Sequence, residues 1–416
     1  MHINNMETYS IVNNSYHWFK KEDLNLKTID FDDYNSSSSS SSTFESCSSD
    51  LLLTDSSTID SLDCCITKDD YTQEDYLLYL PITISFDELL SFRMLKLYQR
   101  LIPSRQSFRK RQMMTVKIQN ILKEEWPNYQ FNVYLFGSSV NNLGTDQSDV
   151  DICISTTWQG LKSMKTLATV LTKYGLYILK IISKAKVPIV KIWDPVLELA
   201  CDLNVNNTLA LQNTKMIKTY VAIDPRVRPF ILLVKHWAKQ RKLNDAASGG
   251  TLSTYTWTCM ALYFLQSRSP PILPKLHEMP HRLSKDNIQI NGLNSSFCQD
   301  LSQLVGFGKA NSESLGSLFY GFFRKFAYEF DYKSQVVSVR HGCLMTRDEK
   351  GWQYLGNNSE GKHGLCVEEP FDTRRNLGNS ANEASVRGLR MEFERAVHVL
   401  LESRGNLASL CTSFHR

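Results

Sequence analysis

Asp149 and Asp151 stand one residue apart in the run YLFGSSVNNLGTDQSDVDICI, residues 134–154. An apolar stretch, Val133 to Phe136, leads into a Gly137-Ser138 turn; a polar connection containing Gly144 follows, and Val150, Ile152 and Ile154 then alternate with the two aspartates. Residues two apart on a strand share a side, so the spacing predicts a β-strand whose carboxylates project together, about 7 Å apart, while the aliphatic residues face a core. Two such carboxylates repel unless a cation lies between them. Mg²⁺ takes oxygen ligands and is often bound by one or two carboxylates together with substrate phosphates, and two such ions can grip the attacking and leaving oxygens of an in-line phosphoryl transfer. Gly137 lets the chain approach a phosphate closely, and the Ser138 hydroxyl adds a donor. Without the turn and the strands, the same Asp-x-Asp would read as two solvated side chains in a loop.

Other residues fit the same chemistry. LELACDLNV, residues 197–205, alternates so that Glu198, Ala200, Asp202 and Asn204 share one face. Asp202 is therefore either a third carboxylate for the site or a surface aspartate on a strand. In PFILLVKHWAKQRKL, residues 229–243, Lys235 and Lys239 are one helical turn apart on one side, with Phe230, Leu233, Val234 and Trp237 supplying an apolar stripe. Such lysines form a solvated basic face or a cradle for a polyphosphate; His236 between them reads as structural. In SGGTLSTYTWTCMALYFLQ, Gly249-Gly250 makes a turn, Ser253 and Thr254 can cap a helix or meet phosphate, and Tyr255 offers a ring to a base.

Gly-Ser, ten residues, then Asp-Val-Asp-Ile resembles the nucleotidyltransferases of the DNA polymerase beta superfamily, and within it the terminal uridylyltransferase and cytoplasmic poly(A) polymerase family. The likeness runs from about Phe86 to about Leu401 and includes V-K-H-W-A-K and a poly(A)-polymerase-associated segment from Asn311. The resemblance implies an α+β architecture, in which a catalytic domain of mixed sheet and flanking helices faces a mainly helical domain across a cleft. It implies a triad of Asp149, Asp151 and Asp202 holding two Mg²⁺ ions, with Mn²⁺ as an alternative. The Asp202-bound ion would lower the pKa of an RNA 3′-hydroxyl that attacks the α-phosphorus of an NTP. Gly137, Ser138, Lys235, Lys239 and Thr254 would hold the triphosphate, Asn213 and Thr214 the ribose and base, and Tyr255 would stack on the base. From local sequence alone, Asn213 and Thr214 read equally well as a cap opening the next helix.

The elements that must position these groups can be read too. SFDELL predicts a capped helix with Ser85 as N-cap and Glu88 at its third position, followed by Leu89, Phe92, Leu95 and Leu97. A helix from Ser104 to Glu125 is predicted with Phe108, Ile118, Ile121 and Leu122 inward and Arg105, Arg109, Lys110 and Arg111 outward, stopped by Pro127. A helix over Trp158–Tyr174 and strands over Tyr177–Ile182 and Val187–Trp193 complete the catalytic region. Phe319, Phe322, Phe323 and Phe326 read as core, and an amphipathic helix over Ser385–Glu402 closes the helical domain with Val386, Leu389, Phe393, Val397 and Leu400 inward. The expected division is a tail over 1–80, helices over 81–115 packed on the helical domain, a catalytic domain over 116–222, the helical domain over 223–404 and a short tail over 405–416.

Residues 1–80 carry 15 acidic and 4 basic side chains, net −11, so the remainder of this 416-residue chain carries +15. A basic body suits a phosphate-rich partner. The acidic segment includes unbroken serine from Ser36 to Ser42 and is expected to be disordered, since it offers little apolar surface to offset its ordering entropy. Its serines suit phosphorylation, and its charge could shield the basic body, or it is a passive tail. The ten cysteines lack C-x-x-C or His-ligand spacing, which points to reduced thiols. No apolar run has the length of a membrane span, and a cytosolic or nuclear protein is expected.

Base choice is expected in CVEEPFDTRRNLGN, residues 366–379, where the family carries an acidic-Pro-Phe motif and a loop lining the base pocket. Asp372 and Arg375 fall in that loop. Uridylyl-specific relatives typically have His before the Asn; here Arg375 precedes Asn376. Arginine has only donors, so it suits O2 or N3 of cytosine or O4 of uracil and opposes the amino group of adenine. Alternatively Arg375 turns outward to RNA or pairs with Glu369 or Asp372. The leading expectation is a template-independent RNA 3′-terminal nucleotidyltransferase using UTP or CTP; the alternatives are a poly(A) polymerase using ATP, an inactive RNA-binding scaffold, and a small-molecule nucleotidyltransferase. No separate RNA-binding module is evident, so RNA 3′ ends would be held by backbone contacts, a recruiting RNA-binding protein is a reasonable partner, and a monomer is expected.

Overall fold

The computed structural model describes residues 84–414 apart from 186, 247–249, 282–288, 291 and 353–363. The expectations for residues 1–80, and for Gly249, lie outside the described residues. Two helices open the described chain, α1 (Phe86–Leu101) and α2 (Arg105–Glu125). The α1 start is a capping box in which Ser85 accepts from the Glu88 N–H and Glu88 reaches back to Ser85. That helix is apolar on more than one side, and packing chose a different stripe from the expected one. Leu90 and Met94 are buried, whereas Phe92 and Leu95 are exposed.

The first core is a five-stranded sheet with flanking helices. In chain order it comprises β1 (Asn132–Phe136), β2 (Val150–Ser155), α3 (Met164–Lys173), β3 (Tyr177–Ile182), β4 (Ile189–Asp194), β5 (Leu199–Val205) and α4 (Thr208–Ile223). Strand order is β1-β2-β5-β4-β3, with β2 and β5 parallel and the other pairs antiparallel. Ile152, Leu203 and Val190 are register partners and all buried, on the face that α2 and α3 cover with Met114, Ile118, Ile121, Leu122, Leu167 and Leu171. The helix expected over 158–174 is shorter, because Ser163 caps α3 and a 3₁₀ turn occupies Gln159–Lys162.

The second core is helical. It contains α5 (Val227–Gln240), α6 (Thr254–Gln266), α7 (Leu315–Arg324) and α8 (Glu383–Glu402), with a small sheet of β6 (Gln335–Ser338), β7 (Cys343–Thr346) and β8 (Cys366–Val367). Helix α1 packs on α7 and α5, whereas α2 packs on β1, so the two opening helices serve different cores. Phe319, Phe322, Phe323 and Phe326 are all buried, as are the five apolar residues expected on the inner face of α8. Phe393 of α8 sits with ring centroids 5.6 Å from Trp237, 5.7 Å from Trp257 and 5.4 Å from Phe326. Past Gly405 the chain stays packed, since Leu407 and Leu410 are buried in the same core.

The helical core depends on this aromatic nest because edge-to-face and tilted rings fill volume that smaller side chains cannot. Phe393→Ala is expected to cost about 3–5 kcal/mol, read as a lower denaturation midpoint in urea with secondary structure retained below the transition.

Candidate active site

Asp151, Asp202 and Lys191 form one row across the sheet. Asp151 is the register partner of Asp202 on the parallel strand β5, Asp202 that of Lys191 on β4, and Phe136 continues the row on β1. Paired residues share a face, so two carboxylates and an ammonium converge where neighbouring strands run about 4.8 Å apart. Asp149 precedes β2 by one residue and is the most open member, with its side chain 56% exposed. The Lys191 Nζ donates to both Asp202 oxygens, at 2.8 and 2.6 Å, and lies 3.8 Å from Asp149. Burial and the two neighbouring aspartates push the Asp151 carboxyl up to about 7. Burial also raises Asp202, against the pull of Lys191.

Gly137 lies directly against this row. Its φ is +64°, and a Cβ there would sit 2.3 Å from the Asp151 carboxylate oxygen, so conformation and space both demand glycine. A 3₁₀ turn, Gly137–Ser139, follows. The connection from Ser139 to Ser148 is pinned from several sides. Arg111 of α2 donates to Ser139 Oγ at 3.2 Å and to the carbonyls of Thr145, at 3.0 Å, and Ser148. From α5, Lys235 donates to the Leu143 carbonyl and Arg228 to that of Asn142. Leu143 itself is buried in the helical core, so this connection ties the two cores together.

Arg111 corrects the sequence expectation. It is 3% exposed instead of facing solvent, while Phe108, expected inward, is 39% exposed. A guanidinium can be buried when enough acceptors meet it, and here Ser107, Ser139, Thr145 and Ser148 do so. Ser107 is on α2 itself, but the other three acceptors come from a connection whose path α2's own sequence does not encode.

Asn213 and Thr214 lie on the second turn of α4, not in the connection before it or at its cap, since the helix opens at Asn207. The apolar residues Met216, Ile217 and Tyr220 continue the helix and bury one side of it. The Thr214 hydroxyl accepts from the Gly137 N–H at 2.9 Å and donates to the Ala210 carbonyl at 2.8 Å. Its single proton is thus committed, and it serves the turn. The Asn213 carboxamide oxygen, by contrast, is buried with no hydrogen-bond partner, an orphan acceptor that a substrate donor would satisfy. Lys235 is brought to this group as well. Burial pushes its ammonium down to about 8, with Asp151 opposing that fall. Lys239, one turn on, is exposed.

A second group surrounds the loop after β8. Thr254 is the first residue of α6, behind the Ser253 cap, and is exposed. The Tyr255 hydroxyl donates to Glu369 at 2.9 Å, and Thr256 of the same turn donates to the Leu377 carbonyl. Glu369 also accepts from the backbone N–H groups of Phe371 and Asp372, so this buried carboxylate shapes the loop. Asp372 pairs with Arg374 at 3.3 Å. The Arg375 side chain is exposed, while its backbone N–H donates to the Asp372 carbonyl at 2.8 Å and its carbonyl accepts from the Glu369 N–H at 3.1 Å.

Residues 90–222 match the central palm domain of mitochondrial-like poly(A) RNA polymerases, and residues 314–375 match the domain described as Cid1 family poly A polymerase. A solved structure of the Cid1 poly(U) polymerase with MgGTP bound is 30% identical with a TM-score of 0.68, covering 79% of this chain and 100% of that one. This chain belongs to the Cid1 family. A structure of a cytoplasmic RNA terminal U-transferase superposes with a TM-score of 0.70 at 29% identity, covering 79% of this chain and 100% of that one. Among curated family members, poly(A) RNA polymerase cid13 of Schizosaccharomyces pombe is 44% identical over 328 residues, 79% of this chain and 56% of that protein. Human terminal uridylyltransferase 7 is 36% identical over 310 residues, 72% of this chain and 20% of that protein. The chain thus spans 56% of cid13 and 64% of the related cid11.

The donor set suits a hard cation. Asp149, Asp151 and Asp202 present carboxylate oxygens only, and burial, with the neighbouring aspartates adding to it, raises Asp151 and Asp202. Among the described residues no group of three or more His, Cys, Asp or Glu side chains is gathered as a ready metal cage. Mg²⁺ ligation completed by substrate phosphates fits that arrangement.

Lys191, Arg111 and Glu369 escaped the sequence reading. The alternation of β4 could have placed Lys191 on a face, but not opposite Asp202. Because its folded pKa lies above the ordinary value, Asp151 costs folding free energy at and above pH 7, and that cost fades as the pH falls toward 4. Asp151→Asn is therefore expected to raise Tm by roughly 2–4 °C in EDTA at pH 7.5, with the gain shrinking at pH 5; an equal or lower Tm at pH 7.5 would contradict the crowding described. Arg111→Met strands the carbonyls of Thr145 and Ser148, and a loss of about 2–4 kcal/mol is expected in chemical denaturation.

Proposed function

We propose that this chain is a template-independent RNA 3′-terminal nucleotidyltransferase that adds pyrimidine nucleotides from NTPs. The observation that carries the reading is the convergence of Asp149, Asp151 and Asp202 beside a glycine turn, with the Lys235 ammonium close enough to be felt by Asp151. Asp149, Asp151 and Asp202 would hold Mg²⁺, or Mn²⁺ in its place, which supplies charge neutralisation at the phosphates and acidification of the attacking hydroxyl. The Cid1 structures with MgGTP and with Mg 3′-dATP support that choice. Gly137 and Ser138 receive the triphosphate through the turn, and Lys235 and Lys239 meet its charge along α5. Asn213 offers its orphan oxygen to a ribose hydroxyl, which a 2′-deoxy sugar has less to satisfy. Positioning and electrostatics of this kind carry most of a phosphoryl transfer.

Base preference rests on Arg375. Glu369 has its acceptors committed to Tyr255 and the loop backbone, and Arg374 is tied to Asp372 through Nε, so the exposed Arg375 guanidinium offers donors to a base. Donors favour the acceptor edges of cytosine and uracil. The cid13 and cid11 relatives, both called poly(A) RNA polymerases, favour the adenylyl reading instead. RNA 3′ ends as substrate go with a monomer acting in the cytosol or nucleus, recruited by an RNA-binding protein.

Extension of a labelled oligo(A) RNA, with each NTP alone and with an equimolar mixture, tests both levels. UTP or CTP incorporation exceeding ATP, and absent from the Asp149→Ala/Asp151→Ala double variant, is the expected result. Long ATP tails would reject the pyrimidine preference, and no extension with any NTP would reject the transferase reading.

A further inference from the structure

Lys191 is a charged member of the carboxylate row that the reaction above leaves unused. Its ammonium spans both oxygens of Asp202 and reaches toward Asp149, and among the described residues these aspartates are its hydrogen-bond and ion-pair partners. A metal ion on Asp202 needs one of those oxygens at about 2.0–2.1 Å. The Lys191 ammonium, 2.8 and 2.6 Å from the two Asp202 oxygens, takes lone pairs and negative charge that such an ion would use, and so competes with it. Metal loading at Asp202 therefore works against the Lys191 contact.

Where Lys191 can go is limited. The side chain is 33% exposed and sits on a four-carbon stem. Its register partner on the outer side is Lys180 of the edge strand β3, which places a second ammonium on the same face. A lysine turned away from Asp202 along this row therefore meets another cation, and an anion between the two relieves that repulsion. On the reading proposed above, the anion that arrives beside the attacking 3′-hydroxyl is the phosphodiester of the RNA's last linkage.

We propose that Lys191 is a resident cation that occupies the metal position at Asp202 in the free enzyme and moves to the terminal RNA phosphodiester as the metal loads. Metal and RNA binding are then positively coupled, each assisting the other by the same factor. Lys191 is a positioning residue, acting through Asp202 and the RNA end. The inference rests on the transferase reading for the identity of the anion; the competition at Asp202 stands on the contacts alone.

The test titrates the full chain with Mn²⁺, following free Mn²⁺ by electron paramagnetic resonance, with and without oligo(A) ending in 3′-deoxyadenosine, which cannot be extended. Wild type, Lys191→Met and Lys191→Arg are compared after thermal melts establish that each is folded. Without RNA, Lys191→Met is expected to bind Mn²⁺ about five- to tenfold tighter than wild type. RNA is expected to tighten Mn²⁺ binding at least about threefold in wild type and Lys191→Arg, and not in Lys191→Met. Equal Mn²⁺ affinity in wild type and Lys191→Met, or weaker binding in the variant, would overturn the exchange and leave Lys191 a structural salt bridge. Coupling produced by a non-hydrolysable NTP but not by RNA would overturn the assignment of the phosphodiester. Failure of wild type to extend RNA, with Mn²⁺ binding still dependent on Asp149 and Asp151 and tightened by Lys191→Met, would count against the transferase reading and support the competition at Asp202.

Discussion

Two carboxylates on neighbouring strands, with a third one residue before the first of those strands, define what the rest of this structure has to do. A sheet fixes side chains at spacings they cannot relax, so the repulsion between Asp151 and Asp202 is built in by register and not by rotamer choice. The chain answers with cations from two directions. Lys191 comes from the sheet itself, one strand over, and Lys235 from the helical region. Neither charge is spare: each sits against the row and is drawn on by the same negative field that a substrate metal would satisfy.

The connection between β1 and β2 is the second dependent feature. It carries Gly137 and Ser138 at one end and Asp149 at the other, and it would be a floppy polar loop if left to itself. Instead Arg111 holds it from α2, Thr214 from α4, and Arg228 and Lys235 from α5, while Leu143 plugs the helical core. Buried arginine with carbonyl acceptors is costly to break, which makes this a stiff element. Because its anchors come from both cores, any relative movement of the two regions is transmitted to the residues that would grip a nucleotide.

The base-side group is organised by Glu369 in an analogous way. One buried carboxylate accepts from the Tyr255 hydroxyl and from two backbone N–H groups of its own loop. The aromatic ring and the loop are thereby set together, with the side chains of Arg374 and Arg375 exposed at its surface.

Much of this was open to reading along the chain. The strand with Asp149 and Asp151, the glycine turn, the alternation that sets Asp202 apart, the Lys235–Lys239 helix and the inner face of α8 all rest on local periodicity, which one segment carries within itself. What local periodicity cannot carry is the partner on a distant segment. Arg111 was expected in solvent because α2 alone offers it only Ser107; the remaining acceptors, Ser139, Thr145 and Ser148, arrive from 28 to 37 residues away. Thr214 meets Gly137 across 77 residues, and Tyr255 meets Glu369 across 114. The stripe buried on α1 was likewise decided by α7 and α5, since a helix apolar on several sides has no preferred face until something packs on it. The sequence by itself determined which residues could do the chemistry; tertiary structure decided which charges face them, because the cost of burying a charge is set by the groups brought around it.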